Sequence, residues 1–325
     1  MTTVRPLRRM RWWRWSALLL ALLALLHVWM FWPVRLAIAS LPDSVVLPPA
    51  TPPAGLRLYA LPTGTLHSRA LFAFRGGSPF EARDFGMNAY LVRHPRGDLL
   101  IDTGLGEDVA AQFARLPWLM RSTTRYTAGT PAAAQLRAGG VAPAQLAGVI
   151  LTHAHWDHVS GLPDLAGAPV WVNAVESRFI ASGDRMSELA ASFPDVPYRT
   201  YAFDSGPYLG YASSHDVWGD GSVVLVPAGG HTPGSVLVFV TLPDAQRWAF
   251  IGDIAWQLEG IERPAERPWI SRMLVDHDAG TVRAQLSHLA ALRQRFPTEI
   301  HFVPAHDLRA AKDIPVWSGT DQGVR

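Results

Sequence analysis

Six consecutive residues constrain this chain more than any other stretch. His153-Ala154-His155-Trp156-Asp157-His158 sets three imidazoles and a carboxylate side by side, after an apolar run at 148–152 that reads as a buried strand. Imidazole nitrogen and carboxylate oxygen are the usual ligands of zinc and similar divalent ions. On an extended segment His153 and His155, two apart, point to the same side. Asp157 and His158 follow where the chain is expected to turn into a helix, which aims a second pair at nearby space. Four ligands this close cannot all serve one tetrahedral ion without strain, so two ions sharing the cluster is the easier geometry.

More ligands must then come from distant loops. His231 lies in Gly229-Gly230-His231-Thr232-Pro233-Gly234, a turn between two predicted strands. Asp253 follows Phe250-Ile251-Gly252 at a strand's end, and His306 follows a strand in Pro304-Ala305-His306-Asp307. Loops at strand ends, held by a rigid sheet, are where functional side chains gather. His215 and His277, in Asp-bearing loops, are weaker candidates for a pocket lining, and Trp156 and Trp256 serve as either core or substrate wall.

Around these motifs short apolar runs alternate with helical patterns. Residues 88–93 and 98–102 flank His94-Pro95-Arg96-Gly97 and read as a hairpin. Helices are expected at 107–116, 131–138 and 175–181, and strands at 170–173, 222–226, 235–242, 247–251 and 299–303. Val282, Leu286, Leu289, Leu292 and Phe296 form the apolar stripe of an amphipathic helix. The pattern indicates layered α and β, with helices covering sheets.

The N-terminus is of another kind. Trp15 to Val34 is a run of 20 residues without a charge, enough for a helix of roughly 30 Å, the thickness of a hydrocarbon core. Trp12, Trp13 and Trp15 stand at one end and Trp29 and Trp32 at the other, as in the aromatic belts of a spanning helix. Five arginines precede the run and Arg35 alone closely follows it, which keeps a basic tail (1–14) cytoplasmic and puts the body outside the inner membrane, on the periplasmic side. Ala37-Ile38-Ala39 has the form of a signal-peptidase site, so a soluble periplasmic body after cleavage is the alternative. Five prolines between residues 40 and 55 make 35–55 a stiff, extended linker, and 56–325 is read as one domain.

Two exclusions follow from composition. With no cysteine there are no disulfides, thiolate ligands or iron–sulfur clusters. Six of the 29 basic residues precede Asp43, the first acidic residue; the remaining 23 face 27 acidic ones, a net charge of −4. That body lacks the basic footprint of a nucleic-acid-binding protein, so a small-molecule substrate is expected, with the membrane as partner of the N-terminal helix.

The ordered set H-x-H-x-D-H, G-H-T-P-G-S, G-D and A-H-D, preceded by Leu100-Ile101-Asp102-Thr103-Gly104, resembles the metallo-β-lactamase-fold hydrolase superfamily from about residue 88 to His306. The resemblance implies a four-layer αββα sandwich with a dinuclear site at one sheet edge. It implies that His153, His155 and His231 hold one ion, that Asp157, His158 and His306 hold the other, and that Asp253 bridges. Asp102 then resembles the acid that steadies the ligand shell. The ions, most simply zinc, with iron or manganese as alternatives, lower the pKa of bound water towards about 7 and so supply hydroxide. Asp157 is the candidate proton relay.

Within the superfamily the 22-residue step from His231 to Asp253 and the short tail resemble the quorum-quenching lactonases and glyoxalase II-like thioesterases. The expected reaction is cleavage of an ester, lactone or thioester bond. A β-lactamase, a phosphodiesterase of the same fold, and a non-catalytic metal-stabilised binding domain are the alternatives. One departure stands out: lactonases of this type carry a tyrosine three residues after the bridging aspartate, and here that residue is Trp256, which can donate only from its ring nitrogen.

Overall fold

The computed structural model describes residues 7–319, and side chains from residue 12 onward. The predicted basic tail, with Arg5, Arg8, Arg9 and Arg11, lies largely outside the described residues. Twelve strands follow in order: β1 (Arg57–Arg69), β2 (Ala82–Arg93), β3 (Leu99–Ile101), β4 (Arg125–Ala128), β5 (Gly148–Ile150), β6 (Val170–Asn173), β7 (Tyr198–Tyr201), β8 (His215–Asp216), β9 (Val223–Pro227), β10 (Val236–Thr241), β11 (Arg247–Phe250) and β12 (Ile300–Val303). They form a seven-stranded sheet, β4-β1-β2-β3-β5-β6-β7, and a five-stranded sheet, β12-β11-β10-β9-β8.

Alternation along the strands stacks these sheets. In β10, Val236, Val238 and Val240 point into a cluster shared with Leu58, Val92 and Ile101 of the other sheet. Leu237 and Phe239, between them in sequence, point the opposite way onto Leu286, Leu289 and Leu292 of the helix Ala279–Arg295. In β2, Tyr90 and Val92 face the other sheet while Met87, Ala89 and Leu91 face an outer helical layer containing Leu136 and Ile180. A two-residue period in a strand buried on both faces gives this result directly. The architecture is therefore helix, sheet, sheet, helix: the four-layer αββα sandwich. Each fully buried leucine contributes about 1.5–3 kcal/mol to holding the layers together.

The expected hairpin at 88–102 is the antiparallel pair β2–β3, and the amphipathic helix is present, capped by the Asp278 carboxylate accepting from the Gly280 and Thr281 N–H groups. The first strand was not legible in this form. β1 runs for 13 residues with Pro62 and Gly64 inside it, and a register irregularity at those two residues lets the pairing with β2 continue.

The first described element is a helix, Leu7–Phe31, of which Trp12–Phe31 is long and apolar enough to span a membrane and has no fully buried residue. It stops three residues before the end of the charge-free run because Pro33 disfavours helical backbone at Trp32. Residues 35–55 carry no helix or strand and lie along the body: Leu36 N donates to Pro264 O, Ser287 Oγ to Ala37 O, Arg295 Nη1 to Pro42 O and Thr51 N to Asp220 O. What the fold does for function is simple. β3, β5, β9, β11 and β12 all end at one edge of the sandwich, and the loops that follow deliver Asp102, the 153–158 stretch, His231, Asp253 and His306.

Candidate metal centre

The 153–158 stretch leaves β5 extended as far as His155 and then enters the short helix Trp156–Val159. This is the strand-to-helix turn expected from its spacing, and it splits the cluster into two pairs. His153 and His155 close with His231 into one trio of ligand atoms, and Asp157 and His158 close with His306 into a second. Asp253 stands between them. Its Oδ2 lies 3.3 Å from His231 Nε2 and 3.9 Å from His153 Nε2, while its Oδ1 lies 3.3 Å from His158 Nε2 and 3.1 Å from His306 Nε2. His306 Nε2 is also 3.4 Å from Asp157 Oδ2. All seven candidate ligands thus converge on one centre, with one carboxylate oxygen facing each trio.

The chemistry of the donor set fits two cations. The Nε2 atoms of His153, His158 and His231 and the Oδ1 of Asp253 are buried without a hydrogen-bond partner, although each is aimed into the centre. Buried polar atoms are almost always satisfied, so four orphans around one point mark the place of a bound group. Burial, with the neighbouring imidazoles, holds His153 and His155 well below the ordinary histidine range, hence neutral and able to ligate. His158 goes the other way. Burial pulls it down, but the carboxylates of Asp102 and Asp253 prevail and hold it well above that range. Burial also pushes Asp253 up, yet the His306 and His158 imidazoles outweigh it and keep the carboxyl ionised. These residues would hold divalent ions, whose chemistry when bound would be to supply hydroxide at neutral pH and polarise a carbonyl or phosphoryl oxygen.

The far sides of His158, His231 and His306 are tied down. Asp102 Oδ2 accepts from His158 Nδ1 at 2.8 Å and from Thr152 Oγ1 at 2.8 Å, while its Oδ1 accepts from Thr152 N at 2.7 Å. Asp102 adopts φ 55°, a left-handed conformation that aspartate tolerates better than most residues. His231 Nδ1 is 2.8 Å from Asp276 Oδ1, and Asp276 is itself paired with the Arg267 guanidinium. His306 Nδ1 donates to Gly86 O at 3.0 Å. Such partners set the tautomer that leaves Nε2 free to ligate. Glu176, buried on the helix Ala174–Ala181, accepts from Ala154 N, Thr232 Oγ1 and Gly234 N, and so ties the 153–155 loop to the 231 loop. Gly252, at φ 50°, lets the chain turn into Asp253 where an added Cβ would lie 3.1 Å from Thr152.

Asp276, Arg267 and Glu176 escaped the reading of the sequence. Asp276 stands 45 residues from His231, Arg267 14 from the Asp253 carbonyl, and Glu176 22 and 58 from Ala154 and Gly234, and a lone acid or arginine carries no local signal. The reverse holds for His215 and His277, neither of which lines the cavity over the centre. His215 stacks on Tyr201, and His277 is exposed.

That cavity, of about 110 Å³, has His155, Asp157, Asp253 and His306 among its lining residues. Its walls are apolar: Leu66, Phe72, Leu116, Met120, Ile270 and Leu274 come from four separate segments. Trp156 and Trp256 both contribute, so both are cavity-wall residues as well as packing. The Trp256 indole N–H donates to Asp253 Oδ2 at 2.7 Å, its ring packs edge-on to Phe85, and the Arg267 guanidinium lies over it at 5.0 Å. The only side-chain donor of Trp256 is therefore spent on the central carboxylate.

The family model of the metallo-beta-lactamase superfamily matches residues 82–306, which include every one of the converging ligands. The chain belongs to the metallo-β-lactamase superfamily. It is a metal-dependent hydrolase of that superfamily, and its similarities lie on the lactonase side. A probable metallo-hydrolase of Mycobacterium tuberculosis is 27% identical over 229 residues, covering 67% of this chain and 73% of the relative. An N-acyl homoserine lactonase of Rhizobium johnstonii is 25% identical over 262 residues, covering 78% and 93%. Among solved structures, an N-acyl homoserine lactone hydrolase with the product N-hexanoyl-L-homoserine at its catalytic metal centre superposes with a TM-score of 0.64 at 19% identity, covering 80% of this chain and 97% of that one. The dizinc quorum-quenching lactonase AidC superposes with a TM-score of 0.53 at 17% identity, covering 82% and 92%. At those identities the superpositions speak for the fold.

Proposed function

We propose that this superfamily member is an exported, membrane-anchored hydrolase with two metal ions, most simply zinc, that opens the ester, lactone or thioester bond of a substrate with an apolar acyl group. The observation that carries the reading is the apolar cavity ending on the candidate ligands. Among the described residues its lining includes no arginine or lysine, the side chains that recognise a phosphodiester anion. An acyl chain against those walls gains about 0.8 kcal/mol per buried methylene. The two similar lactonases support the same bond class, and the charge-free N-terminal helix with five arginines before it supports anchoring with the body outside.

Within this site the protein's own groups have distinct tasks. Asp253, held by the Trp256 N–H and by Arg267 Nη1 on its backbone carbonyl, keeps the two trios at a fixed separation. The apolar walls orient the acyl chain and exclude water. Asp157, at the cavity wall beside His306, takes the proton released by the attacking water and passes it to the oxygen or sulfur that leaves as the acyl bond breaks. The test is the purified full chain with its metal content measured, assayed on lactones, thioesters, β-lactams and phosphodiesters. For lactones, kcat/KM should rise about fourfold per added methylene over a short acyl series. Retention of fewer than about two ions, a flat acyl series, or a preference for phosphodiesters would refute the proposal. Asp157→Asn with metal retained and turnover undiminished would remove the proton-relay role.

A further inference from the structure

The N-terminal helix does not leave the body freely. Its last turn is seated on the two segments that wall one side of the cavity. Trp29 lies 6.0 Å from Trp269, ring to ring, and Phe31 lies 6.4 Å from Phe72. Trp269 opens the helix Trp269–Val275, whose Ile270, Ser271 and Leu274 line the cavity, and Phe72 lines it too. The two wall segments are joined by Ser271 Oγ donating to Phe72 O. Arg75 locks the arrangement: its Nη2 donates to Trp29 O at 2.7 Å, its Nε to Trp32 O at 3.0 Å, and its Nη1 to the buried Glu266 carboxylate at 3.2 Å. A guanidinium on the terminal carbonyls is a favourable helix C-cap.

This seating fixes how the body meets a bilayer. A span ending at Phe31 brings its last turn to the headgroup level, the depth at which tryptophan and arginine collect. Trp269 and Phe72, in contact with that turn, share the depth. Segments at and beside the cavity lining also carry large apolar side chains that are exposed among the described residues. Met273 is on the 269–275 helix, Phe80 on the loop joining the Phe72 segment to β2, and Trp118 on the helix Trp118–Thr123, whose Leu119 and Met120 also line the cavity. Phe80 is 89% and Trp118 73% exposed. Apolar side chains this exposed, beside an uncovered span, form a membrane-contacting patch.

We propose that the face carrying Phe80, Trp118, Trp269 and Met273 rests on the bilayer that holds the N-terminal helix, so that the cavity takes its substrate from the lipid phase, as an amphiphile whose acyl chain leaves the facing leaflet. The proposal rests on the anchored-hydrolase reading above and adds the substrate's origin and physical class. The absence of cysteine makes it directly testable, because a single introduced cysteine is a unique labelling site. The full chain is reconstituted in phosphatidylcholine vesicles with an environment-sensitive fluorophore at F80C, W118C or M273C, or at E299C, an exposed position just before β12 at the sheet edge away from the site. Nitroxide lipids labelled near the headgroup should quench the first three strongly and the last little. Turnover of a long-chain ester embedded in the vesicles, divided by turnover of a water-soluble short-chain ester, should fall about tenfold in the double variant Phe80→Ser/Met273→Ser. Flotation with the vesicles but equal quenching at all four positions overturns the docked face alone. Failure to float overturns the anchoring and the docking together. Rim quenching persists whether or not any ester is turned over, so a failed hydrolase assay leaves the docked face standing.

Discussion

Asp102→Asn isolates one hydrogen bond on which half of the centre depends. The carboxylate accepts three bonds: Thr152 N on Oδ1, and Thr152 Oγ1 and His158 Nδ1 on Oδ2. Asparagine keeps the size of the side chain and is among the few residues at ease at φ 55°, so the backbone need not move. Its amide oxygen can still face Thr152 N, but its NH2 then faces His158 Nδ1. Two donors cannot share a hydrogen bond, so the imidazole must place its proton on Nε2, the atom that faces Asp253. A ligand in the wrong tautomer cannot bind a cation, and losing such a supporting partner typically costs about 10–100-fold in metal affinity, or roughly 1.4–2.7 kcal/mol. The assay is chelator competition followed by metal analysis, with thermal melts of the metal-free proteins alongside. The expected result is loss of affinity at one of the two ions, with metal-free melting within a few degrees of the parent. Asp102→Ala serves as the contrast, adding a backbone cost of about 1–2 kcal/mol in this left-handed position. Two ions bound by Asp102→Asn at parental affinity would refute the reasoning.

Glu176→Gln turns one side of the buried carboxylate into a donor facing an N–H, and should lower stability by about 2–3 kcal/mol in denaturant titrations; a change under about 0.5 kcal/mol would show that the two ligand loops do not depend on it. Burial pushes the Glu259 carboxyl up, but Arg309 and Arg83 prevail and depress it to about 2. A depressed acid contributes stability that is present above its ordinary value near 4.5 and lost as pH falls through about 2, so Glu259→Gln should cost about 1 kcal/mol at pH 7, allowing for solvent screening, and only a small part of that at pH 2. Trp256→Phe removes the indole donor to Asp253 and should lower kcat by less than about tenfold, whereas a loss of about 10²–10³ would mean that the N–H acts on the substrate's carbonyl oxygen.

The candidate metal ligands were readable because their geometry is local. An H-x-H on an extended segment shares a face, D-H at a helix start turns to another, and GHTPG, GD and AHD each follow an apolar run that could only be a strand. The sheets were readable for a related reason, since a strand buried on both faces, such as β10, is a continuous apolar run. β1 was not, because Pro62, Gly64 and a mixed burial pattern blur its period, and only pairing with β2 on one side and β4 on the other makes it a strand.

The sequence alone determined which residues could hold metal and what class of chemistry they support, since ligand type and spacing are properties of a few adjacent residues. Tertiary structure decided everything that needs two distant segments to meet. It placed Asp253 with one oxygen toward each trio and set Asp276 and Glu176 behind the ligand loops. It turned the Trp256 N–H onto a carboxylate and closed an apolar cavity from segments as far apart as Leu66 and Leu274. It also seated the last turn of the N-terminal helix on that cavity's wall. Periodicity records which face of an element is buried; it carries no record of which other element buries it, because that is settled by packing across the whole sandwich.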